Sequence, residues 1–155
     1  VSYVVVKWLH VLSSTLLFGT GLGSAYYMFF ASLTHDARVV ARVVRYVVLA
    51  DWLFTTTTIV FQPLSGAYLA HLAGWPLFGT RWLWMSILLY LLAGACWLPV
   101  VWLQIRMRAM AEAAAAADAP LPSAYWRCLR VWVALGIPAF LALVVVFYLM
   151  VAKPA

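Results

Sequence analysis

Charge is scarce in this chain. Only four of its 155 residues are acidic and 9% are charged at all, against about 25% in soluble domains. So few polar side chains cannot clothe a fold that meets water over its whole surface. Cysteine is scarce too. Cys96 and Cys128 are the only two, too few for a disulfide framework, and they make no metal-type pair. Cys96 falls in an apolar stretch and Cys128 near a basic one, so no bond between them is expected. Missing as well are a Walker loop, a dinucleotide fingerprint and a nucleophile–base motif. Their absence argues against phosphoryl transfer and hydrolysis of the soluble kind. No repeat and no second domain are visible, and the length suits one domain.

What fills the chain is apolar: 68% of residues are hydrophobic, with nine Trp and eight Tyr, residues that collect at membrane–water interfaces. A span needs about 20 mostly apolar residues. Four stretches qualify, at about 3–32, 43–73, 82–105 and 125–152. The Ala-rich run 109–117 has high helix propensity and extends the third helix toward 117. The sequence therefore predicts an all-α integral membrane four-helix bundle in a single domain, 1–155. Thr34-His35-Asp36, Gly74-Trp75-Pro76 and Pro120-Leu121-Pro122 punctuate it. The first apolar run is too long, and lacks the basic leader, for a cleavable signal.

The net charge of +6 does not point to nucleic acid, because the basic residues lie between the apolar stretches and suit topology and contact with anionic lipid. Arg38, Arg42, Arg45, Arg106, Arg108, Arg127 and Arg130 fall on one side, and Lys7, Arg81 and Lys153 on the other. The positive-inside rule then puts both termini on the periplasmic side.

Ionisable and polar groups inside spans are costly and mark function by default. His10 lies about two turns into helix 1, with Lys7 one turn before it on the same face. Ser13, Ser14, Leu17, Gly21 and Ser24 continue that face, and Gly19 and Gly23 form a GxxxG pair suited to close helix approach or homo-oligomer contact. Two readings of His10 stand: a hydrogen bond to a neighbouring helix, or an axial ligand to haem iron. In helix 2, Asp51, Thr55, Thr58, Gln62 and Ser65 recur at spacings that make one polar stripe facing the bundle. The threonines read as interhelical hydrogen-bonding groups. Asp51 reads either as an ion-pair partner of Arg106 or Arg130 or as a proton-relay carboxylate, and Gln62 as a pocket wall at the depth of His10. His71 is an interfacial histidine or a second haem ligand if Pro63 changes the helix phase. His35 reads as a solvated loop residue. Lys7, Arg81 and Lys153 either snorkel to headgroups or neutralise the carboxylates of a porphyrin. Pro99 and Pro138 are expected to bend their helices and open the bundle core.

Lys7-Trp8-Leu9-His10-Val11-Leu12, the Gly-rich second half of helix 1, Gln62-Pro63-Leu64-Ser65-Gly66 and the stretch from Cys96 to Arg106 resemble a bacterial family of four-helix integral membrane proteins of unknown function. The resemblance covers nearly the whole chain and implies a place in the bacterial inner membrane, without an activity. A more distant similarity is to the HemJ-type membrane protoporphyrinogen oxidases, small four-helix proteins that bind haem b. It rests on Lys7 and His10 in helix 1 and on Pro138, Lys153 and Pro154 at the end, and implies His10 as the haem ligand. The chain departs from that pattern in three places. No arginine precedes Arg38, Ser86 stands where the pattern has a lysine, and Gly136-Ile137 replace an Asn-Glu.

The leading expectation is a haem-b-binding membrane redox protein that exchanges electrons with a quinone or a partner protein. Its site would be His10 as axial ligand, with Lys7, Gln62 and His71 as candidate neighbours of the cofactor. The rivals are a cofactor-free structural or assembly subunit, and a small proton-coupled transporter working through Asp51.

Overall fold

The structure, a computed structural model, describes residues 2–154. It is all helical. Helix α1 is Ser2–Leu33, α2 is Ala37–Leu72, α3 is Arg81–Ala116 and α4 is Ser123–Ala152. Each is long and apolar enough to cross a membrane. Lipid demands this architecture, because a helix satisfies its backbone within its own segment. Large apolar side chains stand bare on the outer faces, among them Leu64, Leu98 and Val151, as on a surface that meets lipid.

Three short connections make neighbouring helices antiparallel. The loops after α1 and α3 share one end, here the arginine-rich end, and both termini share the other with the α2–α3 loop. Gly74 ends α2 in a left-handed conformation (φ 69°). The Trp75 amide there reaches back to the Ala70 carbonyl at 2.9 Å, the bond of a Schellman cap.

Helix α2 starts at Ala37, six residues before the expected 43. The arginines that end the apolar count do not end the helix. The Asp36 carboxylate accepts from the amides of Arg38 (2.8 Å) and Val39 (3.3 Å), an N-cap worth about 1 kcal/mol. Beyond it Val40, Val44 and Val47 are buried while Arg38, Arg42 and Arg45 are exposed. This first part of α2 is amphipathic in the manner of a soluble helix. Helix α3 likewise runs unbroken to Ala116. At ~1.5 Å per residue, the 36 residues of each outrun a hydrocarbon core of about 30 Å, so both project past the bilayer at the arginine-rich end.

The tightest core lies at that end, where Met28, Val40, Val44, Met107, Ala111 and Tyr125 are wholly buried together. Ser32 gives its proton to the Met28 carbonyl at 2.8 Å, so the fully buried Tyr125 hydroxyl donates to Ser32 Oγ at 2.6 Å. That bond ties the end of α1 to the start of α4. Outside, Arg38 pairs with Asp118 at 2.8 Å, and Arg45 and Arg108 share Glu112 at 3.1 Å each. A smaller core at the terminal end holds Ala70, Trp82, Leu83 and Leu149. Between the two cores the helices part around a cavity.

Candidate functional site

The polar stripe of α2 builds the site. Asp51, Thr55, Thr58, Gln62 and Ser65 are all buried, as their spacing predicts, while Trp52, Leu53, Val60 and Leu64 face outward. The stripe contains an irregularity that no spacing shows. Asp51–Thr55 is a π turn, a form concentrated at functional sites. The Thr56 amide bonds the Asp51 carbonyl across five residues, and the Thr56 hydroxyl donates to the same oxygen at 3.0 Å.

Two clusters lie along the stripe. Toward the terminal end, His10 Nδ1 is 2.7 Å from Ser65 Oγ. The serine's single proton goes to the Phe61 carbonyl at 2.7 Å, so Nδ1–H donates to Ser65 and the lone pair of the neutral ring sits on Nε2. Gly66 makes this approach fit. A Cβ there would stand 3.3 Å from His10 Cε1. Because α1 and α2 are antiparallel, the pairing of His10 with Ser65 brings Ser13 and Gln62 to one level, a turn deeper. Ser13 Oγ and Gln62 Oε1 are both buried there without a partner.

The remaining candidates, Lys7, His71 and Lys153, are exposed toward the terminal end. Lys7 is exposed, its ammonium 5.9 Å from the Tyr3 ring centre. His71 is exposed and, five residues past Gly66, lies about 140° around the helix from the surface His10 packs against. Lys153 lies over Trp75 (4.5 Å) and Trp82 (5.8 Å), which explains its place at the end of α4 without a ligand. Among the described residues nothing comes within 4 Å of a Cβ built on Gly19 or Gly23, so the close approach expected of this pair is not made there.

Deeper lies the second cluster. Asp51 is buried and accepts from the Thr55 hydroxyl at 2.8 Å, with Gln104 of α3 beside it. Of the two readings of Asp51, the ion pair with Arg106 or Arg130 is not made. Arg106 stacks on Trp102 at 4.8 Å, Arg130 is exposed, and Asp51 has no cationic partner among the described residues. The reason is reach: both arginines turn outward, where water is available. Asp51 and Gln104 border a cavity of about 470 Å³ to which all four helices contribute, and a second hollow of about 350 Å³ between α2 and α3. Tyr90 also lines the larger cavity, and its hydroxyl donates to the Ile59 carbonyl at 2.7 Å. That carbonyl is free because Pro63, four residues on, has no amide proton. The indoles of Trp97 and Trp132 line the same wall, each with a buried, unpartnered Nε1.

Gln104, Tyr90, Trp97 and Trp132 form no part of the sequence-derived site. A signal existed for Gln104, a lone amide in the apolar run from Cys96 to Ile105. The three aromatics carry none, since apolar spans are full of such residues.

A bundle of four helices long and apolar enough to cross a membrane, around a polar-striped interior, defines an integral membrane protein. Residues 4–154 match the family described as predicted integral membrane protein (DUF2269), and the chain belongs to that family. Searches of the curated proteins and of the solved structures gave no significant match.

Proposed function

We propose that the protein is a haem-b-binding redox protein of the bacterial inner membrane, with His10 Nε2 as axial ligand. The single observation behind this reading is the His10–Ser65 bond. A ligating histidine almost always donates its other ring proton to an outer partner, which sets tautomer and orientation. Ser65 takes that proton at 2.7 Å and has already spent its own on Phe61. The unpartnered Ser13 Oγ and Gln62 Oε1 one turn deeper fit an interface that receives a further group. Haem, when bound, supplies one-electron transfer; the chain supplies the ligand nitrogen, its orientation through Ser65, the space at Gly66, and Lys7 as a cation toward the terminal end. His71 is not part of this proposal, being exposed and on another side of α2.

A quinone or a partner protein would exchange the electrons, and the uncovered Gly19 and Gly23 offer a surface for self-association. The test is a reduced-minus-oxidised absorption spectrum of detergent-purified protein from haem-replete cells. Wild type is expected to show a Soret band and sharp reduced α and β bands, and His10→Ala to lose them. A colourless wild type sinks the proposal.

A further inference from the structure

We propose that the cavity around Asp51 binds lipophilic organic cations in exchange for a proton on the Asp51 carboxyl. The inference is independent of haem. The α1 wall of the cavity begins at Leu17, seven residues and about 10 Å deeper than His10.

A carboxyl in an apolar interior must be neutralised, by a proton or by a cation. Asp51 is 5% exposed and has no arginine or lysine partner among the described residues. Its neighbours Thr55 and Gln104 are neutral. The surrounding wall has the other half of a cation site. Phe18, Tyr90, Trp97, Trp132 and Phe140 line the cavity, and aromatic faces attract cations most when water is excluded. The volume of about 470 Å³ lies within the about 300–1,000 Å³ of small-molecule sites. Of the other lining residues only Tyr90 is titratable; those from α1 and α4 carry no ionisable group, and α3 adds the amide of Gln104. Arg106, two residues beyond Gln104, is held outward on Trp102.

Access is lateral. Exposed Leu22 of α1 and Ile137 and Leu141 of α4 border the cavity, so it opens toward lipid between those helices. The hollow between α2 and α3, bordered by the exposed Trp52 and Trp102, reaches the same carboxyl from the opposite side. A cation with an apolar body partitions into lipid and enters from there. On binding it pairs with the carboxylate and the displaced proton leaves to water. The Thr55 hydroxyl that donates to Asp51 remains as a neutral donor to the carboxylate once the proton has left and the cation is bound.

The experiment uses the full chain in detergent and tetraphenylphosphonium as probe, with binding followed by equilibrium dialysis. Affinity is expected to rise with pH, approaching tenfold per unit where one proton is exchanged for each cation. Asp51→Asn, which keeps the shape and the acceptor for Thr55, is expected to lose at least about tenfold and all pH dependence. Asp51→Glu restores the pH dependence, and Trp97→Leu weakens binding at every pH. Wild-type binding that ignores pH overturns the proposal without any variant. So does unchanged affinity in a monodisperse Asp51→Asn, or binding of neutral decylubiquinone to wild type and Asp51→Asn alike with none of the cation. His10→Ala leaves the cation titration intact while abolishing any haem spectrum, so the two proposals fail separately.

Discussion

Pro63 and Tyr90 show how single residues of this chain answer one another across helices. A proline inside a helix strands the carbonyl four residues before it, and in lipid no water reaches that oxygen. The Tyr90 hydroxyl reaches Ile59 O at 2.7 Å and replaces the missing amide. Tyr90→Phe is therefore expected to destabilise the protein by about 1–2 kcal/mol in a reversible detergent-denaturation titration. In the Pro63→Ala background, where residue 63 again donates, the same change should cost roughly half of that or less. Equal costs in both backgrounds would show that the tyrosine does something else. At the His10–Ser65 contact, Ser65→Ala removes the acceptor of Nδ1–H and leaves the ring free to change tautomer. For a haem-loaded protein the expected outcome is a shifted midpoint potential with the spectrum retained, whereas His10→Ala abolishes the spectrum; redox titration separates the two. An unmoved potential would mean that Ser65 does not orient the ligand.

At the scale of elements, the π turn decides which residues of α2 meet which partners. One extra residue in a turn rotates everything beyond it by about 100°, so Asp51–Thr55 sets the phase of the outer half of α2 against the inner half. The inner half packs Val40, Val44 and Val47 into the large core, and the outer half faces Gln62 and Ser65 inward. Deleting the exposed Leu53 restores a regular α-helix and swings that outer half by the same angle. In a background without Cys96 and Cys128, a short bifunctional thiol reagent is expected to join His10→Cys to Ser65→Cys. The link should vanish when Leu53 is deleted. Persistence of the link would mean that the helix absorbs the deletion elsewhere.

The whole molecule is uneven: tightly packed and ion-paired at the arginine-rich end, hollow in the middle, and lightly closed at the terminal end. Glu112 belongs to the part of α3 that projects past the bilayer. The hydrogen bond from Arg108, with that from Arg45, holds its carboxyl below the usual carboxylate range. A depressed folded value stabilises at pH above the unfolded value, and the stabilisation fades as pH falls through the folded one. Wild type should therefore lose some stability on acidification that Glu112→Gln does not, by no more than about 1 kcal/mol because the pair is in reach of water; denaturation titrations across the acid range check this. Orientation is tested on the same scale. With the termini on the periplasmic side, alkaline phosphatase fused after Pro154 is active and the same enzyme inserted at Pro120 is not. The opposite pattern would invert the positive-inside reading of the loops.

The membrane as solvent, the four spans and the buried face of α2 were legible in the residues alone, because long apolar runs satisfy their backbone as helices in lipid and polar residues at helical spacing must turn inward. The sequence also pointed to His10, a lone imidazole in an apolar span, while leaving open what the ring would meet. The tertiary packing was needed to show that His10 meets Ser65, that His71 lies on another side of α2, that Lys153 lies over Trp75, and that Asp51 has no arginine partner among the described residues. These outcomes depend on the antiparallel register, on the phase shift at the π turn and on whether a long side chain reaches water sooner than a buried acid. None of those quantities has a period in the sequence. The aromatic wall was hidden for a related reason: in a chain with nine tryptophans, only packing tells the few that line a cavity from those that face lipid.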